Sequence, residues 1–137
     1  MAVSPIPSVR RVVEYALTRI PKEKIFLGSS NYGYNWTLPY EKGKSFAPSI
    51  STVQAIDLAI RYGAEIQYDE VSQAPFFYYT DEEGREHVVW FEDARSAQAK
   101  INLILEYGLK GTLYWDLMRK NPQNYTTLNG LINVVRR

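Results

Sequence analysis

The sequence predicts an α/β fold in which parallel strands alternate with helices and one antiparallel hairpin interrupts the alternation. Apolar residues recur at helical spacing in four separate segments. Short runs rich in β-branched and aromatic residues lie between them. Between the second and third of these segments, Asp81-Glu-Glu-Gly84 reads as a tight turn joining two such runs.

Val9, Val12, Val13, Ala16, Leu17 and Ile20 place an amphipathic helix at roughly residues 8–19, stopped by Pro21. Lys24-Ile-Phe-Leu-Gly28 follows as a short buried strand, and residues 29–48, rich in Gly, Pro, Asn and Tyr, as a loop. Ser51-Thr-Val-Gln54 has the pattern of a capping box, with Val53, Ile56, Ala59 and Ile60 behind it and Gly63 as a stop. Residues 64–70, 75–80 and 85–91 then read as strands. Asp93 is a candidate N-cap for a helix carrying Ala97, Ile101, Ile104 and Leu105, which ends at Tyr107-Gly108. Lys110-Gly-Thr-Leu-Tyr-Trp-Asp-Leu117 is a further strand. Pro122 opens a last helix with Tyr125, Leu128, Ile132 and Val135 on one face. Two parallel strands do not finish a sheet, because such sheets are several strands wide and covered on both faces. Either the hairpin strands complete it, or the chain belongs to something larger.

At 137 residues the chain suits one domain, 1–137, with enough length for a true core. A formal net charge of +1 gives no electrostatic reason to expect nucleic acid or an acidic membrane as partner. No apolar run approaches the roughly 18 residues that a membrane helix needs. The first residues lack the basic-then-apolar layout of a signal peptide. With no cysteine, disulfides and thiol chemistry are excluded. The aromatic share is high, with eleven tyrosines and three tryptophans. Such side chains combine a flat apolar face with a polar edge, a combination that suits sugars as well as ordinary cores.

Lys24-Ile-Phe-Leu-Gly-Ser-Ser-Asn-Tyr-Gly-Tyr-Asn-Trp36 resembles the seventh-strand segment of glycoside hydrolase family 18. Ile66-Gln-Tyr-Asp-Glu70, Ala74-Pro-Phe-Phe-Tyr-Tyr79 and His87-Val-Val-Trp-Phe-Glu-Asp-Ala-Arg-Ser96 are similar to the small insertion of bacterial members. Gly108-Leu-Lys-Gly-Thr-Leu-Tyr-Trp115 resembles the eighth strand, and Pro122-Gln-Asn-Tyr125 extends the likeness. The resemblance covers nearly the whole chain in the family's order and is greatest to spore-cortex and cell-wall enzymes. It implies the C-terminal part of a (β/α)8 barrel: the last two strands and their helices, with an antiparallel α+β insertion at approximately 49–91. A full barrel of this class needs about 250 residues. The family's catalytic signature, Asp-x-x-Asp-x-Asp-x-Glu, and its Met-x-Tyr-Asp motif do not occur here. Ser29-Ser30 also departs from the family's usual apolar residue and proline.

Members of this family are an exception to the two-carboxylate rule. One glutamic acid protonates the leaving oxygen while the substrate's own N-acetyl group attacks the anomeric carbon. The resemblance therefore implies sugar-contacting residues without a catalytic one, no cofactor and no metal. Its implied partner is a polysaccharide containing N-acetylglucosamine, and its implied location is the spore, the cell envelope or the exterior. Trp115, at the end of the last strand, would stack under the sugar. Tyr32 and Tyr34 would hydrogen-bond its hydroxyls, Tyr34 standing where several chitinases have arginine. The competing reading puts Trp115 in a core and both tyrosines in loop packing, as Trp36 is expected to be. Asp69, Glu70, Glu92 and Asp93 invite an acid/base reading, but Asp93 is explained by capping and the rest by solvated turns, with Glu70 or Glu92 as rim candidates. His87, the single histidine, is read as structural. The alternative readings are a non-catalytic carbohydrate-binding module and an oligomerising structural domain, whose unpaired strand edges predict a homo-oligomer.

Overall fold

The structure is a computed structural model that describes residues 1–116 and 118–132. Helix α1 (Ile6–Leu17) opens behind Pro5, with a proline in its first turn where a missing amide loses no bond. It ends at Thr18, and Pro21 instead leads a 3-10 turn at Lys22–Lys24. The chain continues through β1 (Phe26–Ser30), β2 (Tyr32–Thr37) and β3 (Ser49–Ser51) into α2 (Thr52–Tyr62). Then come β4 (Gln67–Asp69), β5 (Ala74–Thr80), β6 (Glu86–Trp90), α3 (Ala94–Tyr107), β7 (Gly111–Trp115) and α4 (Pro122–Leu131). Leu117 and Val135, which the sequence placed in the last strand and helix, lie outside the described residues.

The strands form two sheets. β1 and β7 pair in parallel, with Phe26 opposite Gly111 and Ser30 opposite Trp115. Ser29 Oγ and Thr112 Oγ1 share a 2.9 Å hydrogen bond across the pair. The other sheet is antiparallel, in the order β3-β2-β6-β5-β4. Its membership starts at β2, upstream of residue 49, so the stretch 29–48 is a strand followed by a loop. Tyr32, Tyr34 and Trp36 alternate at strand period along β2, a signal that Gly33 and Asn35 mask because both residues are poor strand formers. Gly33 is there for space: a Cβ on it would lie 2.2 Å from the Trp90 carbonyl oxygen and 2.7 Å from Phe91 Cβ.

The helix stops follow local chemistry. Ser51 Oγ accepts from the Gln54 amide at 3.2 Å and Gln54 Oε1 accepts from the Ser51 amide at 3.0 Å, closing the box that starts α2. Asp93 and Ser96 make the equivalent pair for α3. Gly63 and Gly108 end these helices at φ of 59° and 60°, a region where a Cβ is unfavourable.

Two cores result. α1 and α3 enclose β1 through Val13, Leu27, Leu103, Ile104 and Leu109. α2 covers the antiparallel sheet through Ala55, Ala59, Phe77, Val89 and Phe91. Each fully buried large side chain contributes about 1.5–3 kcal/mol. The helical stripes read from spacing are wider than what is covered, since Val12, Val53, Ile60 and Leu105 are exposed. On α1 the uncovered part flanks an apolar groove of about 420 Å³ between the helix and β1, lined by Val9, Val12, Ala16 and Phe26 among others.

Candidate functional site

The parallel register brings the ends of β1 and β7 side by side, and β2 begins just beyond Ser30. Asn31, between the two strands, is buried. Its side-chain amide donates to the carbonyl of Asp116 and, at 3.0 Å, to that of Arg119. Its backbone amide reaches the Trp115 carbonyl at 3.4 Å. This clamp holds the exit of β7 against the entry of β2.

The consequence is a single groove of about 320 Å³ lined by Tyr32, Tyr34, Phe46, Trp115, Asp116 and Arg119, with Ala47 and Ser49 between them. All three aromatics singled out in the sequence face it. Trp115 is 73% exposed in this chain, with its indole on the groove wall. The Tyr32 and Tyr34 rings meet edge to face at 5.7 Å and 77°. Trp36, next on that face, packs against Tyr34 and Tyr40, as expected of a loop-packing residue.

Arg119 joins the wall from behind. Its guanidinium lies 5.5 Å from the Tyr32 ring centroid, and its Nη2 donates to Ser49 Oγ at 2.8 Å. Burial pushes the Tyr32 phenol above its usual range, Tyr34 adds to the effect, and the Arg119 charge opposes it. At neutral pH the hydroxyl therefore keeps its proton and can donate. Flat apolar faces beside a phenol, a guanidinium and a carboxylate suit a ligand with a C–H face and a rim of hydroxyls.

Acid/base chemistry is poorly served. Among the described residues Asp116 is the one carboxylate lining the groove, and its Oδ1 accepts from the Met118 amide at 2.9 Å. Glu92 is not on the rim: it is 2% exposed and pairs with Lys100 Nζ at 2.7 Å. Ser4 and Ser30 donate to its other oxygen at 3.1 and 3.2 Å. Glu70 is exposed in the turn after β4, away from the groove lining. Asp69 accepts from the Ser72 amide at 2.7 Å, and hydrogen bonds from Ser72 hold its carboxyl below the usual range. Asp93 caps α3. His87 stacks on Tyr79 at 4.6 Å and bonds Asp81 at 3.0 Å, a structural position. Among the described residues no three His, Cys, Asp or Glu side chains are grouped to hold a metal.

Asn31, Phe46, Asp116 and Arg119 escaped the sequence reading. Asn31 and its carbonyl partners are more than eighty residues apart, so no local pattern connects them. The adjacency of Asp116 to Trp115 was the one available hint.

Comparison with known proteins shows the family. Residues 3–119 match the family described as Glycosyl hydrolases family 18. The chain is 55% identical over 136 residues to the cortical fragment-lytic enzyme of Bacillus subtilis (strain 168), covering 99% of this chain and 32% of that protein. The crystal structure of the spore cortex-lytic enzyme SleL of Bacillus megaterium QM B1551 matches with a TM-score of 0.95 and 52% identity, over 100% of this chain and 32% of the other. A chitinase from Chromobacterium violaceum ATCC 12472 matches at 0.85 and 29% identity, over 94% and 39%. The chain thus spans about a third of the length of the relatives it matches. With most of its length inside the family match, this chain belongs to glycosyl hydrolase family 18.

Proposed function

We propose that this chain forms the C-terminal portion of a (β/α)8 glycosidase barrel acting on polymers that contain N-acetylglucosamine, cortex peptidoglycan or chitin. In this reading β1 and β7 are the last two barrel strands, and the insertion at approximately 49–91 supplies β3 to β6, which pair with β2 in the antiparallel sheet. Trp115 stacks under the sugar, and Tyr32 and Tyr34 hydrogen-bond its hydroxyls. The observation that carries the reading is the convergence of these three side chains on one groove at the C-terminal ends of parallel strands, where sites of this architecture lie. Two features support the barrel. β1 and β7 each have one unpaired edge in their two-stranded sheet, and the apolar groove beside α1 has nothing over it among the described residues. The names of the relatives favour a spore or cell-envelope setting.

The chain contributes binding and no cutting. The Asp-x-x-Asp-x-Asp-x-Glu motif is absent from its sequence, and Asp116 is bound to its own turn. Proton donation and acetamide orientation would come from the other strands of the barrel. Isothermal titration of the 137-residue chain with chitin oligomers tests the binding half. Micromolar affinity is expected, weakened at least about fivefold by Trp115→Ala, a typical change for an interfacial tryptophan. Equal affinity of the variant would remove the groove from the account. Release of a chromophore from an aryl N-acetylglucosaminide by the pure chain would overturn its assignment as non-catalytic.

The same free edges and apolar groove favour a second reading for the chain on its own, as a self-associating domain. A clean monomer by light scattering at high concentration would refute it.

A further inference from the structure

We propose that Asn31 is the positioning residue of the groove: its buried side chain fixes the backbone that carries Trp115, Asp116 and Arg119, and so sets the indole for a saccharide. This rests on the saccharide reading of Trp115, Tyr32 and Tyr34. Asn31 is 1% exposed and joins β1 to β2. Its backbone amide donates to the Trp115 carbonyl at 3.4 Å. Its Nδ2 donates to the Asp116 carbonyl and, at 3.0 Å, to that of Arg119. All three acceptor residues line the groove, and so does Tyr32, the next residue along the chain. Trp115 is also held by its pairing with Ser30 in the parallel ladder. The backbone is thus fixed on both sides of the indole, which keeps only its side-chain rotations.

The other half of the side chain shows which chemistry the position needs. Asn31 Oδ1 is buried with no hydrogen-bond partner among the described residues. A buried amide oxygen without a donor destabilises a fold, so an asparagine is a poor choice here for stability alone. What it supplies is two N–H donors on one nitrogen, each aimed at a carbonyl of the turn after β7. An apolar side chain has no donor, and an aspartate would set oxygen against oxygen. The two preceding residues hold the asparagine in place. Ser29 Oγ shares a 2.9 Å hydrogen bond with Thr112 Oγ1 of β7, and Ser30 Oγ donates to Glu92 Oε1 at 3.2 Å. Three consecutive side chains therefore engage β7, the segment after β6 and the turn after β7. Ser29, Ser30, Asn31 and Glu92 are all buried within this chain, so the arrangement does not depend on what covers its surface.

The test follows the Trp115 indole N–H by NMR in the 137-residue chain, with calorimetric titration of β-linked N-acetylglucosamine oligomers alongside. Loss of the signal in Trp115→Phe identifies it. Asn31→Ala removes both side-chain donors, and Asn31→Ser keeps one shorter donor. Leu103→Ala truncates the core between α1, α3 and β1 and leaves the groove lining untouched. Asn31→Ala should move or broaden the indole signal and weaken binding at least about fivefold. Asn31→Ser should do the same to a smaller extent, and it carries the comparison if Asn31→Ala fails to fold. Leu103→Ala should lower the melting temperature yet leave the indole signal in place and the affinity within about twofold. An indole signal and an affinity that match the unmodified chain in the Asn31 variants overturn the positioning role. So do losses in those variants no larger than Leu103→Ala shows for an equal drop in melting temperature. If the unmodified chain binds no oligomer, the saccharide reading falls, and the indole signal alone still decides whether Asn31 places Trp115.

Discussion

Replacing Gly33 by alanine tests the link between strand packing and the groove. An alanine Cβ would stand 2.2 Å from the Trp90 carbonyl oxygen and 2.8 Å from Phe91 Cα, both backbone atoms that cannot swing aside. Reaching the 3.0 Å that real Cβ contacts respect requires β2 and β6 to separate by roughly 0.8 Å. Overpacking of this kind costs about 1–3 kcal/mol. At about 2–4 °C per kcal/mol for a chain of this size, the melting temperature should fall by about 2–12 °C. Gly33 lies between Tyr32 and Tyr34, so the same displacement shifts both rings relative to Trp115. Chemical denaturation gives the stability change, and titration with an N-acetylglucosamine oligomer gives the functional one. Stability within 0.5 kcal/mol of the parent, with unchanged amide shifts in β2 and β6, would show that the strands are not in the close contact described.

Other perturbations address the buried charges and the hairpin. Lys100→Met leaves Glu92 charged and without its cation in an interior site, and should cost about 3–5 kcal/mol in urea unfolding. Adding Glu92→Gln should recover much of that loss; a double variant as unstable as the sum of the singles would refute the pairing. Burial pushes the Asp81 carboxyl up, but hydrogen bonds from Arg85, His87 and the Glu83 amide outweigh it and hold the group well below the usual carboxylate range. A carboxyl depressed by folding adds stability that is present above its unfolded value, near about 4, and is lost as pH falls through the folded value. Protection of the β5–β6 hairpin amides, measured against their intrinsic exchange rates, should accordingly be high at pH 5 and fall on strong acidification. Asp81→Asn should already exchange faster at pH 5, and equal protection in the variant would contradict the assignment.

What was legible in the sequence was local chemistry. Ser51 with Gln54, Asp93 with its helix, and Gly63 and Gly108 as stops each act within a few residues, and they sit where their spacing predicts. β2 was read as loop because Gly33 and Asn35 argue against a strand while the partner that needs the glycine, Trp90, is remote in sequence. Val12 and Leu105 stand on the apolar faces that the spacing marks yet are exposed, because periodicity shows which face is apolar, and not how much of that face a neighbour covers. Trp115, Tyr32 and Tyr34 were singled out through the family's motif order, and they line one groove. Phe46 and Arg119 were not, since nothing in their own neighbourhoods marks them. Glu92 was misplaced on a rim because its salt-bridge partner, two turns into α3, reaches it only after the chain has folded back.

The Glu92 network also says what the antiparallel sheet is for. Its carboxylate, delivered just beyond β6, is gripped by Lys100 and by hydroxyls from Ser4 and Ser30, while its carbonyl accepts from Thr52, which Asn121 in turn engages. The antiparallel unit is thereby a buttress bolted to the seam where the parallel strands end. Descendants of this fold can lengthen or trim the outlying hairpin tips near Glu70 and Glu83 at little risk. Any remodelling that fails to bring one acidic oxygen back to Lys100 would loosen the strand that feeds the aromatic wall.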